Sequence, residues 1–131
     1  MTDRPHRINP SSIAAPAPHY SHGVSIPAGV RTTITSGQVG IAPNGEIPST
    51  IEEQLDLVWS NTAAILAADG LKLTDIVSVR GYLTNSADVS AYRTKFKATL
   101  ADTRPTSTLV VVKELVSPKL LVEIEVIAAW A

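Results

Sequence analysis

Two stretches of the chain carry apolar residues at the spacing of an amphipathic helix. In the first, apolar side chains recur every three or four residues from Ile51 to Leu66, and Gly70 ends the pattern. Ser49 and Thr50 each have a glutamate three positions later, which is the spacing of a capping box. The second helix is predicted after the polar run Asn85–Asp88, and its apolar stripe comprises Val89, Tyr92, Phe96 and Leu100.

Three later segments show the pattern of β-strands. Residues Asp75–Leu83 are rich in β-branched side chains, and Thr106–Leu115 and Leu120–Trp130 close the chain. In the last segment the even-numbered residues from 122 to 130 are apolar, whereas Glu123 and Glu125 share the other face with apolar neighbours. A face that mixes carboxylates with apolar groups indicates a pocket or a subunit contact.

The N-terminal part is irregular. Four prolines in the first 18 residues exclude a helix, so residues 1–19 are predicted to form an extended arm, either ordered or loose. Residues 24–26 and 30–36, separated by a Pro-Ala-Gly turn, predict a β-hairpin. The Gly- and Pro-rich residues 37–48 leave room for one short strand.

This order of elements predicts a single α+β domain over residues 1–131, with two helices on one face of a mixed sheet. No remaining segment is long enough to cover the other face of the sheet. We therefore expect the protein to form oligomers.

The composition of the chain argues against several classes of function. Eleven basic and twelve acidic residues give a formal charge of −1, and these charges are interspersed, so nothing indicates binding to nucleic acid. The absence of cysteine excludes disulfides, thiolate metal sites and cysteine nucleophiles. The start of the chain does not resemble a signal peptide, and no apolar run could span a bilayer, so we expect a cytoplasmic protein with no membrane partner.

Motifs for dinucleotides, the P-loop, zincins and α/β-hydrolases are absent. His19 and His22 have a metal-like spacing but no third ligand nearby, so two exposed imidazoles are the simpler interpretation and no metal is predicted. Glu123, in mid-strand beside apolar groups, is either a functional carboxylate or a solvated one. Arg104 could bind a carboxylate or could be an ordinary loop arginine.

Several segments together resemble the RidA/YjgF family of reactive-intermediate deaminases, and the resemblance covers nearly the whole chain. They are Ile8-Asn9-Pro10, Pro18-His19-Tyr20-Ser21-His22-Gly23-Val24, Thr35-Ser36-Gly37-Gln38, Arg104-Pro105-Thr106-Ser107-Thr108-Leu109-Val110 and Leu121-Val122-Glu123-Ile124-Glu125-Val126-Ile127-Ala128. The resemblance implies a homotrimer of chorismate-mutase-like subunits whose sheets form a barrel. It also implies small-molecule clefts between subunits.

The resemblance further implies a deaminase, a hydrolase that converts enamines or imines to a carbonyl compound and ammonia without a cofactor. In that interpretation Glu123 is the catalytic residue that positions or activates water. The Ser36-Gly37 turn supplies polar contacts, and Tyr20 lines the cleft.

The family's carboxylate-clamping arginine falls on Ser107 when the last segments are aligned. Arg104 would start about 10 Å away on the opposite face of an extended strand, and it can replace the clamp only if the chain turns there. Two functions therefore stay open: a deaminase for substrates that lack the usual carboxylate and contact the hydroxyls of Ser107 and Thr108, or a metabolite-binding trimer that has lost deaminase activity. A third interpretation, an RNA-cleaving protein, is disfavoured by the near-neutral charge and the few aromatic residues.

Overall fold

The computed structural model describes residues 4–130, so the first three residues of the predicted arm and Ala131 lie outside the described part. It contains seven strands and two α-helices, with short 3₁₀ turns at Leu73–Asp75, Ser86–Asp88 and Ala101–Thr103. The elements in chain order are β1 His6–Ile8, β2 Gly23–Ser25, β3 Thr32–Ile34, β4 Gln38–Val39, α1 Ile51–Ala68, β5 Ile76–Leu83, α2 Val89–Leu100, β6 Thr106–Val111 and β7 Val122–Ala129.

The main sheet is mixed and follows the order β3-β7-β5-β6, with β4 also paired to β7. Strands β5 and β6 are parallel, whereas β7 runs antiparallel to β3, β4 and β5. Because α2 connects β5 to its parallel neighbour β6, this part of the chain is a β-α-β unit. The predicted α+β class with two helices packed on one sheet is confirmed.

Both helices begin where the sequence predicts. The Thr50 hydroxyl accepts a hydrogen bond from the backbone N–H of Glu53 and donates one to its carboxylate, so Thr50 rather than Ser49 caps α1. Gly70, with a φ of +77°, follows the end of that helix. Before α2, the Asn85 side chain accepts a hydrogen bond from the Ala87 N–H.

The core lies between these helices and one face of the sheet. Its buried side chains come from the predicted apolar stripes of the two helices on one side, and from β5 and the even-numbered residues of β7 on the other. They include Leu55, Val58, Trp59, Leu66, Tyr92, Phe96, Leu100, Val79, Val122, Ile124, Val126 and Ala128. Burying a side chain of this size contributes about 1.5–3 kcal/mol, so this layer provides most of the stabilisation.

From residue 4 onward the arm is ordered and contributes strand β1, but the predicted hairpin over 24–26 and 30–36 is wrong. Strand β2 pairs with β1 of the arm, and β3 pairs with β7 near the end of the chain. The turn that the sequence predicts at Pro27–Gly29 does form, with the Val30 N–H donating to the Pro27 carbonyl. Its flanking strands diverge because each finds a partner that is distant in the sequence, which a local pattern cannot reveal.

The predicted strands Thr106–Leu115 and Leu120–Trp130 are shorter in the structure, where they span Thr106–Val111 and Val122–Ala129. The alternation predicted for β7 is confirmed from Val122 to Ala128, since the even-numbered residues there are buried and Glu123, Glu125 and Ile127 are half-buried on the other face. It ends at Ala129, which is also buried. In the part of the chain that the structure describes, neither helix combines the length and the apolar character needed to cross a bilayer.

Candidate functional site

Glu123 lies against a glycine at the bend between β3 and β4. Glu123 is the register partner of Val39 on one side and of Tyr82 on the other. Because Val122 and Ile124 are buried in the core and side chains alternate along a strand, its carboxylate lies on the face of the sheet opposite the helices. A Cβ atom at Gly37 would overlap the carboxylate oxygen Oε2 of Glu123. The backbone of the Ser36-Gly37 bend therefore contacts this carboxylate, and the structure brings Ser36, Gly37 and Glu123 together as one group, here called the Glu123 group.

Backbone pairing to β7 fixes this bend. The Thr35 N–H donates to the Val126 carbonyl at 3.0 Å, and the Val126 N–H donates to the buried Thr35 hydroxyl at 3.1 Å. Three positions after Thr35, Gln38 pairs with Ile124, so the bend places Ser36 and Gly37 opposite the single residue that separates Val126 from Ile124. An extra residue of this kind makes a bulge, which re-aims the backbone at that point.

The neighbouring carboxylate on this face is engaged elsewhere. Glu125 accepts a hydrogen bond from the Tyr82 hydroxyl at 2.7 Å. That hydrogen bond, together with burial and the nearby carboxylates, raises the pKa of Tyr82. In contrast, the side chain of Glu123 receives no hydrogen bond from the residues between positions 4 and 130.

A second group surrounds a cavity of about 200 Å³ on the helix side of the sheet. The arm, which is taken here to continue through Tyr20 and Ser21, supplies the lining together with α2 and β6. The lining consists of His19, Tyr20, Tyr92, Arg93, Ser107 and Leu109. We call it the arm cavity. Two predicted site residues, Tyr20 and Ser107, therefore lie together, and four further residues join them.

Ser21 attaches the arm beside β6. Its backbone N–H donates to the Pro105 carbonyl at 2.9 Å, and its hydroxyl donates to the Arg104 carbonyl at 2.6 Å. The side chain is buried, so these hydrogen bonds are shielded from water. Next to it, the ring of His19 packs edge-on against Phe96 of α2, with the ring centroids 5.4 Å apart. The arm thus forms one wall of the cavity.

Two polar atoms of the arm cavity are buried without a partner in the described residues: His19 Nδ1 and the Tyr92 hydroxyl. Burial, followed by the positive charges of Lys97 and Arg93, lowers the pKa of His19 below 6.5. The imidazole is therefore uncharged at neutral pH. Burial raises the pKa of Tyr92, so its hydroxyl keeps its proton.

The Glu123 group and the arm cavity are separate within one chain. Ser107 pairs with Val79 and Val79 with Val126, so Ser107 lies on the helix-covered face, whereas Glu123 lies on the opposite face. Two strand spacings and three residues along the strand place the Cα atoms of Ser107 and Glu123 about 14 Å apart. That they share one cleft between subunits stays a prediction.

The remaining predicted residues join neither group in one chain. Thr108 is the register partner of Arg80 and points from the edge strand to the face that carries Glu123. Arg104 does sit in a turn, with a φ of +48°, but its guanidinium lies 3.8 Å from Asp102 and does not line the arm cavity. Both side chains are exposed.

Three residues that line the arm cavity were not predicted as site residues from the sequence. They are His19, Tyr92, which was predicted only as a core residue, and Arg93. The prediction of two exposed imidazoles is wrong for His19, whereas exposed His22 contacts the Ala14 carbonyl through Nε2. The Tyr92 stripe position was visible in the sequence, but nothing indicated that its exposed neighbour Arg93 would reach the same cavity as Ser107. Among residues 4–130, no three His, Asp, Glu or Cys side chains are grouped so that they could hold a metal ion.

Comparison with known proteins identifies the family. The family model described as Endoribonuclease L-PSP matches residues 11–130. TdcF of Escherichia coli K12, named a reactive intermediate deaminase, is 34% identical over 114 residues, which cover 83% of this chain and 84% of TdcF. The 2-iminobutanoate/2-iminopropanoate deaminase of the same organism is 34% identical over 100 residues, covering 72% of this chain and 77% of the enzyme.

Solved structures agree with the sequence comparison. The Rid-family protein YyfB of Yersinia pestis superposes with a TM-score of 0.88 at 28% identity, covering 97% of this chain and 99% of YyfB. The crystal structure of E. coli TdcF with bound serine gives a TM-score of 0.72 at 28% identity, covering 98% of this chain and 94% of TdcF. Because the family model matches residues 11–130, which include the main sheet, both helices and the Glu123 bend, this chain belongs to the RidA/YjgF family.

Proposed function

We propose that this protein is an imine and enamine deaminase that hydrolyses small substrates to a carbonyl compound and ammonia. The observation that carries the proposal is the contact between the Glu123 carboxylate and the backbone of the Ser36-Gly37 bend. It holds a carboxylate against a turn, half-buried and without a hydrogen-bond donor in the described residues. The names of the two deaminase relatives support the same reaction.

In the proposed reaction, Glu123 accepts a proton from a water molecule as the water oxygen bonds to the imine carbon. The electron pair of the C=N bond moves to nitrogen, which takes this proton from Glu123 and gives a carbinolamine. Glu123 then accepts the proton of the carbinolamine hydroxyl as the C=O bond forms, and it passes that proton to the nitrogen as the C–N bond breaks and ammonia leaves. Water is the only co-reactant, and general acid–base catalysis of this kind contributes about 10²–10⁴ in rate.

We also propose that the site is completed by a second copy in a homotrimer. The face of the sheet opposite the helices carries exposed apolar side chains, including Ile34, which is 72% exposed, and Val110 on the edge strand. Exposed apolar groups on one face support burial against another subunit. Sedimentation should then give about 42 kDa, three times the chain mass of 13.9 kDa.

RNA is a poor candidate substrate, although the family model is described by an endoribonuclease name. The chain has a formal charge of −1 and only six aromatic residues of the Phe, Trp and Tyr types. Proteins that hold RNA depend on positive charge and on aromatic stacking. Both features therefore favour a small-molecule substrate.

The experiment is a turnover assay in which an amino-acid oxidase generates 2-iminobutanoate in the cuvette. Semicarbazide competes for the imine, so hydrolysis by the protein appears as a loss of semicarbazone at equal oxidase activity. We expect the wild-type protein to lower semicarbazone formation in proportion to its concentration, and Glu123→Gln to have no effect. Equal semicarbazone formation with and without wild-type protein would reject the proposed reaction for this substrate class.

A further inference from the structure

The arm cavity contains a cation that the sequence pattern does not assign to any site. Arg93 lies in the first turns of α2, one residue after buried Tyr92, and its side chain lines the cavity that also contains Ser107. Position 107 itself offers only a hydroxyl. The positive charge at this cavity is therefore supplied by the helix and not by strand β6.

Arg93 is free to bind a ligand. It forms no ion pair or hydrogen bond with any residue in the range 4–130, whereas Lys95, two residues later, pairs with Asp56 at 2.7 Å. The cavity lining contains no carboxylate that could neutralise the guanidinium. An arginine that has no protein partner and faces a cavity is suited to a planar anion, because its fork can donate two parallel hydrogen bonds to a carboxylate.

The other groups around the cavity add to this preference. His19 is uncharged at neutral pH, so it does not compete as a cation, and its buried Nδ1 has no partner in the described part of the chain. The Tyr92 hydroxyl is likewise buried and unpartnered there. Buried polar atoms without partners cost free energy, which bound water or a polar ligand would recover.

We propose that the arm cavity is the subsite for the substrate's carboxylate and that Arg93 binds this group, with the Ser107 hydroxyl beside it. This inference rests on the proposed deaminase function and assigns the contact with the substrate's carboxylate to a residue of helix α2 instead of strand β6. Arg93 is then a specificity-determining residue. A serine at position 107 is then compatible with a cleft that binds carboxylates, because Arg93 supplies the positive charge.

Binding of a product-like carboxylate tests the subsite apart from turnover. The probe is 2-oxobutanoate, titrated by calorimetry into the wild-type protein, Arg93→Gln and Lys97→Gln. Lys97 lies one turn further along α2 and also lowers the pKa of His19, so its substitution removes the same charge from the same region. It does not line the cavity, and it therefore serves as the matched control. We expect Arg93→Gln to weaken binding at least tenfold, as one lost charge-assisted pair implies, and Lys97→Gln to weaken it less than about threefold.

A charge-relocating variant sharpens the test. The double substitution Arg93→Gln/Ser107→Arg moves the guanidinium from helix to strand at the same cavity and should recover binding of 2-oxobutanoate. Butanone, which lacks the carboxylate, should bind the wild-type protein and all the variants with the same low affinity. Since Arg93 is exposed, its substitution is expected to leave the fold intact, and unchanged thermal melting of each variant checks this.

The outcomes separate this inference from the proposed function. Imine turnover in the wild-type protein, combined with unchanged 2-oxobutanoate affinity and kcat/KM in Arg93→Gln, would overturn the carboxylate subsite and leave the deaminase proposal standing. Arg93-dependent binding without any turnover would support the subsite and reject the reaction. No measurable binding of 2-oxobutanoate to the wild-type protein, or equal losses in Arg93→Gln and Lys97→Gln, would also overturn the subsite.

Discussion

The Glu123 group and the arm cavity are built in different ways. Backbone hydrogen bonds within the sheet fix the Glu123 group, whose carboxylate position follows from the alternation of β7 and from the bend at Gly37. The arm cavity is assembled from three segments that are distant in the sequence, and it depends on the hydrogen bonds of Ser21 and on the packing of His19 against Phe96. We therefore expect the first group to tolerate little change and the second to vary more readily.

In the proposed deaminase, catalysis and substrate specificity are located in different parts of the fold. A carboxylate that moves protons must be held accurately, and a strand within a sheet provides such a position. Substrate selection can use residues on an arm and a helix face, where an arginine can be gained or lost without disturbing the core.

The largest effect is expected from Glu123→Gln, which keeps the shape of the side chain but removes its ability to accept a proton. We expect kcat for 2-iminobutanoate to fall by about 10² or more. The matched control is Glu125→Gln on the same face, whose carboxylate is engaged with Tyr82, and it should lower kcat by less than about tenfold. Equal losses in the two variants would show that the face needs negative charge and not Glu123 in particular.

Gly37→Ala tests the bend that holds this carboxylate. The added Cβ would overlap Oε2 of Glu123 and push the carboxylate away, so we expect kcat to fall by at least about tenfold. Gly23→Ala is the control, because a Cβ there meets Ile8 at an ordinary distance of 3.6 Å. Full activity in Gly37→Ala would mean that Glu123 does not depend on this contact.

Ser21→Ala probes the attachment of the arm. Removing the hydroxyl leaves the Arg104 carbonyl without its donor, so we expect the free energy of unfolding to fall by about 1–2 kcal/mol in urea titrations. The apparent KM should rise as the arm loosens, while kcat changes little. Ser12→Ala, at an exposed position of the same arm, should leave both quantities unchanged. A fall in kcat with constant KM in Ser21→Ala would contradict the separation of the two groups.

The smallest effect concerns pH. Since the pKa of His19 is lower in the folded protein than its ordinary 6.5, the unfolded chain binds this proton more readily. The contribution of neutral His19 to stability is therefore present above pH 6.5 and is lost as pH falls below it. The loss in unfolding free energy between pH 7.5 and pH 5.5 should be smaller in His19→Gln than in the wild-type protein. An equal loss in the two proteins would exclude this role of His19.

Local patterns predicted the helices, the β7 alternation and the Glu123 face because these features depend on neighbouring residues. Thr50 capping, the Tyr92 stripe and the buried even positions of β7 all follow from spacings of two to four residues. The hairpin prediction was wrong because strands β2 and β3 are paired by contacts distant in the sequence. The resemblance supplied the family, which composition and spacing alone do not give.

The arm cavity could be predicted only in part for the same reason. Tyr20 and Ser107 were found through the resemblance, whereas Arg93 is one of several exposed cations on α2 when only the sequence is considered. Its place beside Ser107 depends on how α2 packs against β6 and on where Ser21 holds the arm. Neither the packing of α2 against β6 nor the attachment of the arm can be predicted from the spacing of residues along the chain.

In the proposed trimer the two groups meet between copies of the chain, and cross-linking tests the claim. The chain has no cysteine, so Ser36→Cys and Ser107→Cys introduce single thiols into the two groups. Within one chain these positions are three strand spacings apart, about 14 Å, and the sheet lies between Ser107 and the face that carries Glu123. Treated with a short bismaleimide, the double variant should give covalent dimers and trimers on a denaturing gel, while each single variant stays monomeric. A double variant that remains monomeric on the gel would contradict the claim.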